Sequence, residues 1–157
     1  MQRMNTAGKP LPFDREKIEE IAKHYPTPFY IYDEAALRLR VRALCAAFAW
    51  NPGFHEHYAV KACPNPALLE ILRQEGCGLD CASWAELMLA EALGIAGEEI
   101  MFSSNDTPAG EFEYARRLGA IINLDDVSHI DFLAAHGGIP ETISCRFNPG
   151  GEFRIGT

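Results

Sequence analysis

Lys61 closes an apolar run and stands just before a break, in "HYAVKACPNP" (His57 to Pro66). Side chains alternate along a strand, so His57, Ala59 and Lys61 share one face while Tyr58 and Val60 share the other. Lys61 is then expected at the carboxyl end of its strand, beside the loop "ACPNP" and the amino end of the next helix. That end is where α/β proteins place their chemistry. An ammonium partly removed from water is costly to charge, which lowers its pKa and frees the amine to attack a carbonyl. The chemistry open to such a lysine is Schiff-base formation. The ordinary alternative is a solvent-facing residue whose stem lies on apolar surface with its head in water.

Other reactive residue types are less pointed. His55 and His57 share a face, but two imidazoles without a third ligand do not make a metal site, and no metal is expected. The five cysteines, Cys45, Cys63, Cys77, Cys81 and Cys145, are odd in number and form no CxxC pair, so reduced and mostly buried thiols are expected. Cys63 would need a nearby base to act as a nucleophile. "SSND" (Ser103 to Asp106) ends a strand on the active face, where it caps a helix or offers hydrogen bonds. "NPGG" (Asn148 to Gly151) has the flexibility of a phosphate loop.

The bulk numbers narrow the class. With 157 residues and 48% hydrophobic residues, the chain can bury the core of about one domain. A net charge of -8 and no cluster of Lys and Arg argue against nucleic acid. "MQRMNTAGKPLPFD" lacks the apolar core of a signal peptide, and the run "ALCAAFAW" (Ala43 to Trp50) is too short to span a bilayer. A cytoplasmic protein without membrane or nucleic-acid partners is expected.

The elements that must position Lys61 are legible as a repeat. "REKIEEIAKHY" has helical spacing, "PFYIYD" reads as a short strand, and "EAALRLRVRALCAAF" places Leu37, Val41 and Leu44 on one helical face. Strand-like runs then centre near Val60, Leu79, Phe102, Ile122 and Cys145, with helices between them. Asn65 caps a helix with Pro66 at its first position and Gly76 ends it; Thr107 and Pro108 do the same for a helix ending at Gly119. Ser83 and Glu86 form a capping box in "SWAE", opening a helix that stops at Gly94. Alternating strands and helices imply right-handed βαβ units and a parallel sheet, either open and doubly wound or a (β/α)8 barrel. A barrel needs about 250 residues, so five units would be its N-terminal part. Residues 1–33 then form an N-terminal helix-and-strand segment and 34–157 the first part of the barrel.

"YAVKA" (Tyr58 to Ala62), "NPALL" (Asn65 to Leu69) and "GLDCASWAEL" (Gly78 to Leu87), in this order and at this separation, resemble the pyridoxal-phosphate decarboxylases of diaminopimelate, ornithine and arginine, the fold-type III group. "ARRLGAIINLDD" and "SCRFNPGG" look like later strands of the same family, so the resemblance runs from Pro28 onward. It implies an alanine racemase-like, TIM-type α/β barrel carrying a second, mainly β domain. It further implies that Lys61 binds pyridoxal 5'-phosphate covalently, that Asp80 lies close to that link and assists proton handling, and that Arg146 ends a barrel strand near the cofactor. The resemblance also implies a place for Glu86 in the same polar network, beside its local job as capping-box partner of Ser83. The phosphate loop, the ring-stacking histidine and the glutamate facing the pyridine nitrogen belong to later strands of the family, so "NPGG" comes too early to be that loop. Relatives more often carry asparagine where Cys63 stands.

The implied activity is decarboxylation of an amino acid in which binding geometry selects the bond that breaks. "FSSNDTPAGEFEYARRLGAIINLDD" looks most like diaminopimelate decarboxylases, which make lysine; ornithine and arginine remain alternative substrates. A non-catalytic regulator of the same fold is the competing class, against which the retention of both Lys61 and Asp80 speaks. A racemase does not fit "DCASWAEL". The resemblance implies a homodimer for the intact protein, and residues 1–157 alone are expected to be inactive.

Overall fold

The computed structural model describes residues 12–147. The chain opens with two helices, α1 (Arg15–His24) and α2 (Glu34–Ala47). Each begins at an aspartate whose carboxylate accepts a free backbone N–H of the first turn, Asp14 from Lys17 and Asp33 from Ala36, which satisfies donors that have no partner inside the helix. Five strands alternating with four helices follow: β1 (His57–Ala59), α3 (Pro66–Gln74), β2 (Gly78–Cys81), α4 (Trp84–Ala92), β3 (Ile100–Phe102), α5 (Ala109–Leu118), β4 (Ile121–Leu124), α6 (His129–Ala135) and β5 (Ile143–Cys145). No helix among the described residues is long and apolar enough to cross a membrane.

The strand order decides between the two architectures that the sequence left open. All four pairings are parallel and the order is β1-β2-β3-β4-β5, without a reversal. A doubly wound sheet changes direction at a switch point. Right-handed crossovers that always advance one way put every helix on the same face of the sheet, which is barrel winding. The burial pattern agrees. Leu79, Cys81, Ile100, Phe102, Ile122 and Leu124 point to the helices and are buried, joined there by Leu69 and Leu72 of α3, Leu87 of α4, Phe112 of α5 and Leu133 of α6. Residues of the opposite set, Asp80, Met101, Ile121, Asn123 and Ser144, are half-buried.

The turns follow the sequence closely. Asn65 Oδ1 accepts from Ala67 N at 3.0 Å with Pro66 in the first turn of α3. Gly76, Gly94 and Gly119, which follow α3, α4 and α5, have φ of 89°, 70° and 75°, a region glycine enters without steric cost. Ion pairs flank the apolar contact of α2 with α3: Arg38 and Arg42 both reach Glu75, which caps α3, at 2.9 Å and 2.6 Å.

Four local expectations are corrected. "PFYIYD" is not a strand; residues 28–33 run without regular structure, because among the described residues no neighbouring strand pairs with them. The first barrel strand stops at Ala59, and Val60–Ala62 form a 3-10 turn; Val60 is fully buried in that turn, so its apolar character continues the strand pattern although the backbone has changed. α5 begins one residue later than expected, with Pro108 at the cap position and no side-chain cap, while the Thr107 hydroxyl is buried without a hydrogen-bond partner among the described residues. On α2, Leu37 and Val41 face the core but Leu44 is 39% exposed.

Candidate active site

In a barrel of this winding the functional end lies at the carboxyl ends of the strands, and five segments meet there: the 3-10 turn after β1, the segments after β2 and β3, and the ends of β4 and β5. Lys61 sits in the 3-10 turn rather than on the strand, so the strict face alternation with His57 and Ala59 does not extend to it. The residue is exposed, and among the described residues no carboxylate lies within ion-pair distance of its amine. The turn packs against β2, where Asp80 is the register neighbour of Ala59. Lys61, two residues past Ala59, and Asp80 are therefore brought to the same corner of the sheet.

From Asp80 a row of polar side chains crosses the sheet. Ser103 Oγ, just beyond β3, donates to Asp80 Oδ1 at 2.5 Å. Ser144 Oγ on β5 donates to Asn123 Oδ1 on β4 at 2.7 Å, the two being register partners. Arg146, beyond β5, pairs with Asp125 at 2.7 Å and donates to Asn105 Oδ1 at 3.3 Å. Its backbone N–H also continues the ladder to Leu124 O at 2.8 Å. The half-buried donors and acceptors of this row, Asp80, Ser103, Asn123 and Ser144, are thus matched, as a partly desolvated polar face requires.

Glu86 stands apart from this row, on α4. Its Oε2 accepts from Ala82 N at 2.7 Å, and Ser83 Oγ accepts from Glu86 N at 3.4 Å. The expected capping box is therefore present in a shifted form, the carboxylate returning to the residue before the cap instead of to the cap itself. The helix start gains a second acidic partner, Glu111 of α5, which accepts from Trp84 N at 2.8 Å. Glu86 thereby holds the segment that leaves β2 immediately after Asp80.

Cys77, Cys81, His55 and His57 are held by burial or by local contacts. Cys81 is buried and its thiol is pushed up to about 12 by burial; burial likewise pushes Cys77 up to about 11. Neither forms thiolate readily near neutral pH. Cys63 is half-buried with the Tyr32 hydroxyl 3.7 Å from its sulfur, a contact that raises the Tyr32 phenol above its ordinary value. His57 Nε2 lies 2.9 Å from Glu98 O, and His55 Nε2 lies 3.2 Å from a Glu99 carboxylate oxygen. Both imidazoles belong to the amino-terminal side of the sheet, away from Lys61. The "NPGG" stretch lies outside the described residues.

Sequence reasoning missed Asn123, Asp125 and Ser144, and did not connect Ser103 to Asp80. A signal was available: Asn123 interrupts the apolar run "AIINL" and Ser144 the run "TISC", and a polar residue within a buried parallel strand has to be matched by another.

The model of the pyridoxal-binding domain of pyridoxal-dependent decarboxylases matches residues 16–153. The chain belongs to this family. Among curated relatives, Protein TabA of Pseudomonas amygdali pv. tabaci is 43% identical over 134 residues, covering 85% of this chain and 31% of that protein. The diaminopimelate decarboxylase of Thermoplasma acidophilum is 35% identical over 139 residues, covering 87% of this chain and 33% of that enzyme. Among solved structures, the lysine decarboxylase of Selenomonas ruminantium superposes with a TM-score of 0.72 at 25% identity, covering 82% of this chain and 33% of the other. The chain thus spans about a third of the length of the curated relatives it matches, and it corresponds to the N-terminal part of the pyridoxal-binding barrel.

The residues present fit a pyridoxal cofactor. An aldehyde requires an amine that is free to condense, and Lys61 is exposed without an ion-pair partner among the described residues. A cationic centre near that amine requires an anion that stays in place, and the Asp80 carboxylate is held by the Ser103 hydroxyl.

Proposed function

We propose that this chain is the cofactor-binding part of a pyridoxal-phosphate-dependent amino-acid decarboxylase, with meso-diaminopimelate as substrate and L-lysine as product. The observation that carries the reading is the corner formed by Lys61, on the turn after β1, and Asp80, on the neighbouring strand and fixed by Ser103. The family match supports the cofactor, and one solved neighbour, SrLDC, is in complex with PLP and cadaverine. Relatives named diaminopimelate decarboxylase at 35% and 34% identity support the substrate. Ornithine, arginine and lysine are the alternatives.

When bound, the cofactor's pyridinium ring supplies the electron sink that stabilises the charge left on the α-carbon by departing CO2. Lys61 would hold the cofactor through its Nζ, and the same amine, when free, would hold or move a proton. Asp80, held by Ser103, would supply a negative charge at the corner of the sheet that Lys61 shares. Arg146, oriented by Asp125 and Asn105, closes the polar row at the far end. Glu86 keeps the segment after β2 in place through the Ala82 N–H, acting through Asp80 rather than on the substrate. The intact protein is proposed to act as a homodimer, which sedimentation checks.

The test is CO2 release by the full-length protein, measured separately with diaminopimelate, ornithine, arginine and lysine. Release from diaminopimelate alone, abolished by Lys61→Ala, is expected. Release from none of them would leave the regulatory-protein reading standing.

A further inference from the structure

The segment that follows β3 touches both charged residues assigned above to the cofactor site. Ser103 Oγ donates to Asp80 Oδ1 at 2.5 Å, and Asn105 Oδ1 accepts from Arg146 Nη1 at 3.3 Å. Asp80 lies on β2 and Arg146 follows β5, with β3 and β4 between them, so the sheet ladder does not tie one to the other. The segment itself is anchored. Ser103 N donates to Cys81 O at 2.8 Å, Phe102 immediately before it is buried, and Ser104 and Thr107 are buried within it.

An aspartate carboxylate turns about a broad, roughly two-fold torsion, so a strand backbone alone does not fix where its oxygens point. A hydroxyl donating to a charged acceptor makes a short, charge-assisted bond of about twice the strength of a neutral one. Ser103 is placed to select one orientation of Asp80. Asn105 does the corresponding work on the guanidinium of Arg146, adding an acceptor to the one that Asp125 provides.

We propose that Ser103 is a positioning residue for Asp80, and that the Ser103–Asp106 segment, through Ser103 and Asn105, sets the orientation of both Asp80 and Arg146 toward the reacting centre. The inference rests on the reading of Lys61 as the cofactor lysine.

The experiment compares Ser103→Thr, which keeps the hydroxyl, with Ser103→Val, which matches threonine in shape and lacks it, in the full-length protein. The readouts are kcat and KM, cofactor affinity of the apoprotein by absorbance titration, and the thermal midpoint. Ser103→Val is expected to lower kcat by about ten- to a hundredfold, the range for losing a hydrogen bond to a charged group, with KM moving less than about threefold and cofactor affinity falling severalfold. Ser103→Thr is expected to restore kcat and affinity to within about threefold of the unmutated protein. Folded Thr and Val variants that behave alike would overturn the inference, as would a Val variant that unfolds while Thr does not, since the hydroxyl would then be structural. If neither folds, Asn105→Ala decides by the same readouts: a fall in kcat with KM held supports the inference, and unmutated behaviour overturns it. Borohydride trapping on Lys61 of the unmutated protein separates the two levels. Absence of trapping defeats the functional reading, whereas trapping with Thr and Val alike defeats only the role of Ser103.

Discussion

Gly78 begins β2 two residues before Asp80, and its lack of a side chain is dictated by contact rather than by torsion. A Cβ built there would lie 2.5 Å from the Glu99 carbonyl oxygen, 2.7 Å from His57 Cδ2 and 3.0 Å from His55 Nε2. The first of these is backbone leading into β3, whose Ile100 is the register partner of Leu79, so it can retreat only by disturbing the ladder. The second belongs to an imidazole whose Nε2 lies 2.9 Å from Glu98 O. Gly78→Ala therefore adds an overpacking cost of about 1–3 kcal/mol and endangers a hydrogen bond that contributes about 1 kcal/mol, for a total near 3 kcal/mol. For a chain of this size each kcal/mol moves the thermal midpoint by about 2–4 °C, so a fall of about 6–12 °C is expected in a circular-dichroism melt. Gly110→Ala is the control: its Cβ would meet only the far end of Trp84, at 3.3 Å, and alanine favours helix, so stability should stay within about 1 kcal/mol. A Gly78→Ala midpoint within about 2 °C of the unmutated chain, or an equal loss in both variants, would refute the steric argument.

Hydrogen bonds from Arg42, then Arg38, lower the Glu75 carboxyl to about 2 from 4.5. A folded-state pKa below the unfolded one means that this stabilisation is present above about pH 4.5 and lost as pH falls toward 2; the difference in midpoint between the unmutated chain and Glu75→Gln should therefore be largest near neutrality and vanish by about pH 2. Thiol titration of the native chain should label Cys145 first and Cys45 and Cys63 more slowly, and should reach Cys77 and Cys81 only on unfolding, because burial raises both thiols to about 11 and about 12; rapid labelling of Cys81 would contradict its placement under α4. Residues 1–157 alone are expected to release no CO2 from any of the four amino acids, since they span about a third of the length of the curated relatives they match; turnover by this piece would show the reasoning wrong.

Much of the fold could be read from local chemistry. Leu79, Phe102, Ile122 and Cys145 each fall within a strand, because a strand buried on one side against helices carries a short apolar run bounded by turn residues. Asn65, Ser83, Gly76, Gly94 and Gly119 mark helix ends because capping and left-handed backbone are local requirements. What failed depended on distant partners. "PFYIYD" has strand composition, yet a strand exists only where another pairs with it, and periodicity carries no news of that. Val60 is buried whether its backbone is strand or 3-10 turn, so burial pattern could not show that β1 ends at Ala59. Motif resemblance singled out Lys61 and Asp80 as candidates, and the structure brings them to one corner of the sheet, whereas the bond from Ser103 to Asp80 and the pairing of Arg146 with Asp125 depend on strand register, which short strands do not announce.

Whether the Lys61 amine holds the cofactor is read out by borohydride reduction. Full-length protein saturated with pyridoxal phosphate, treated with borohydride and digested, should yield one peptide spanning Lys61 that carries the added mass of the reduced cofactor, and Lys61→Ala should abolish it. Label on a different lysine, or none on a folded protein that binds the cofactor, would contradict the account.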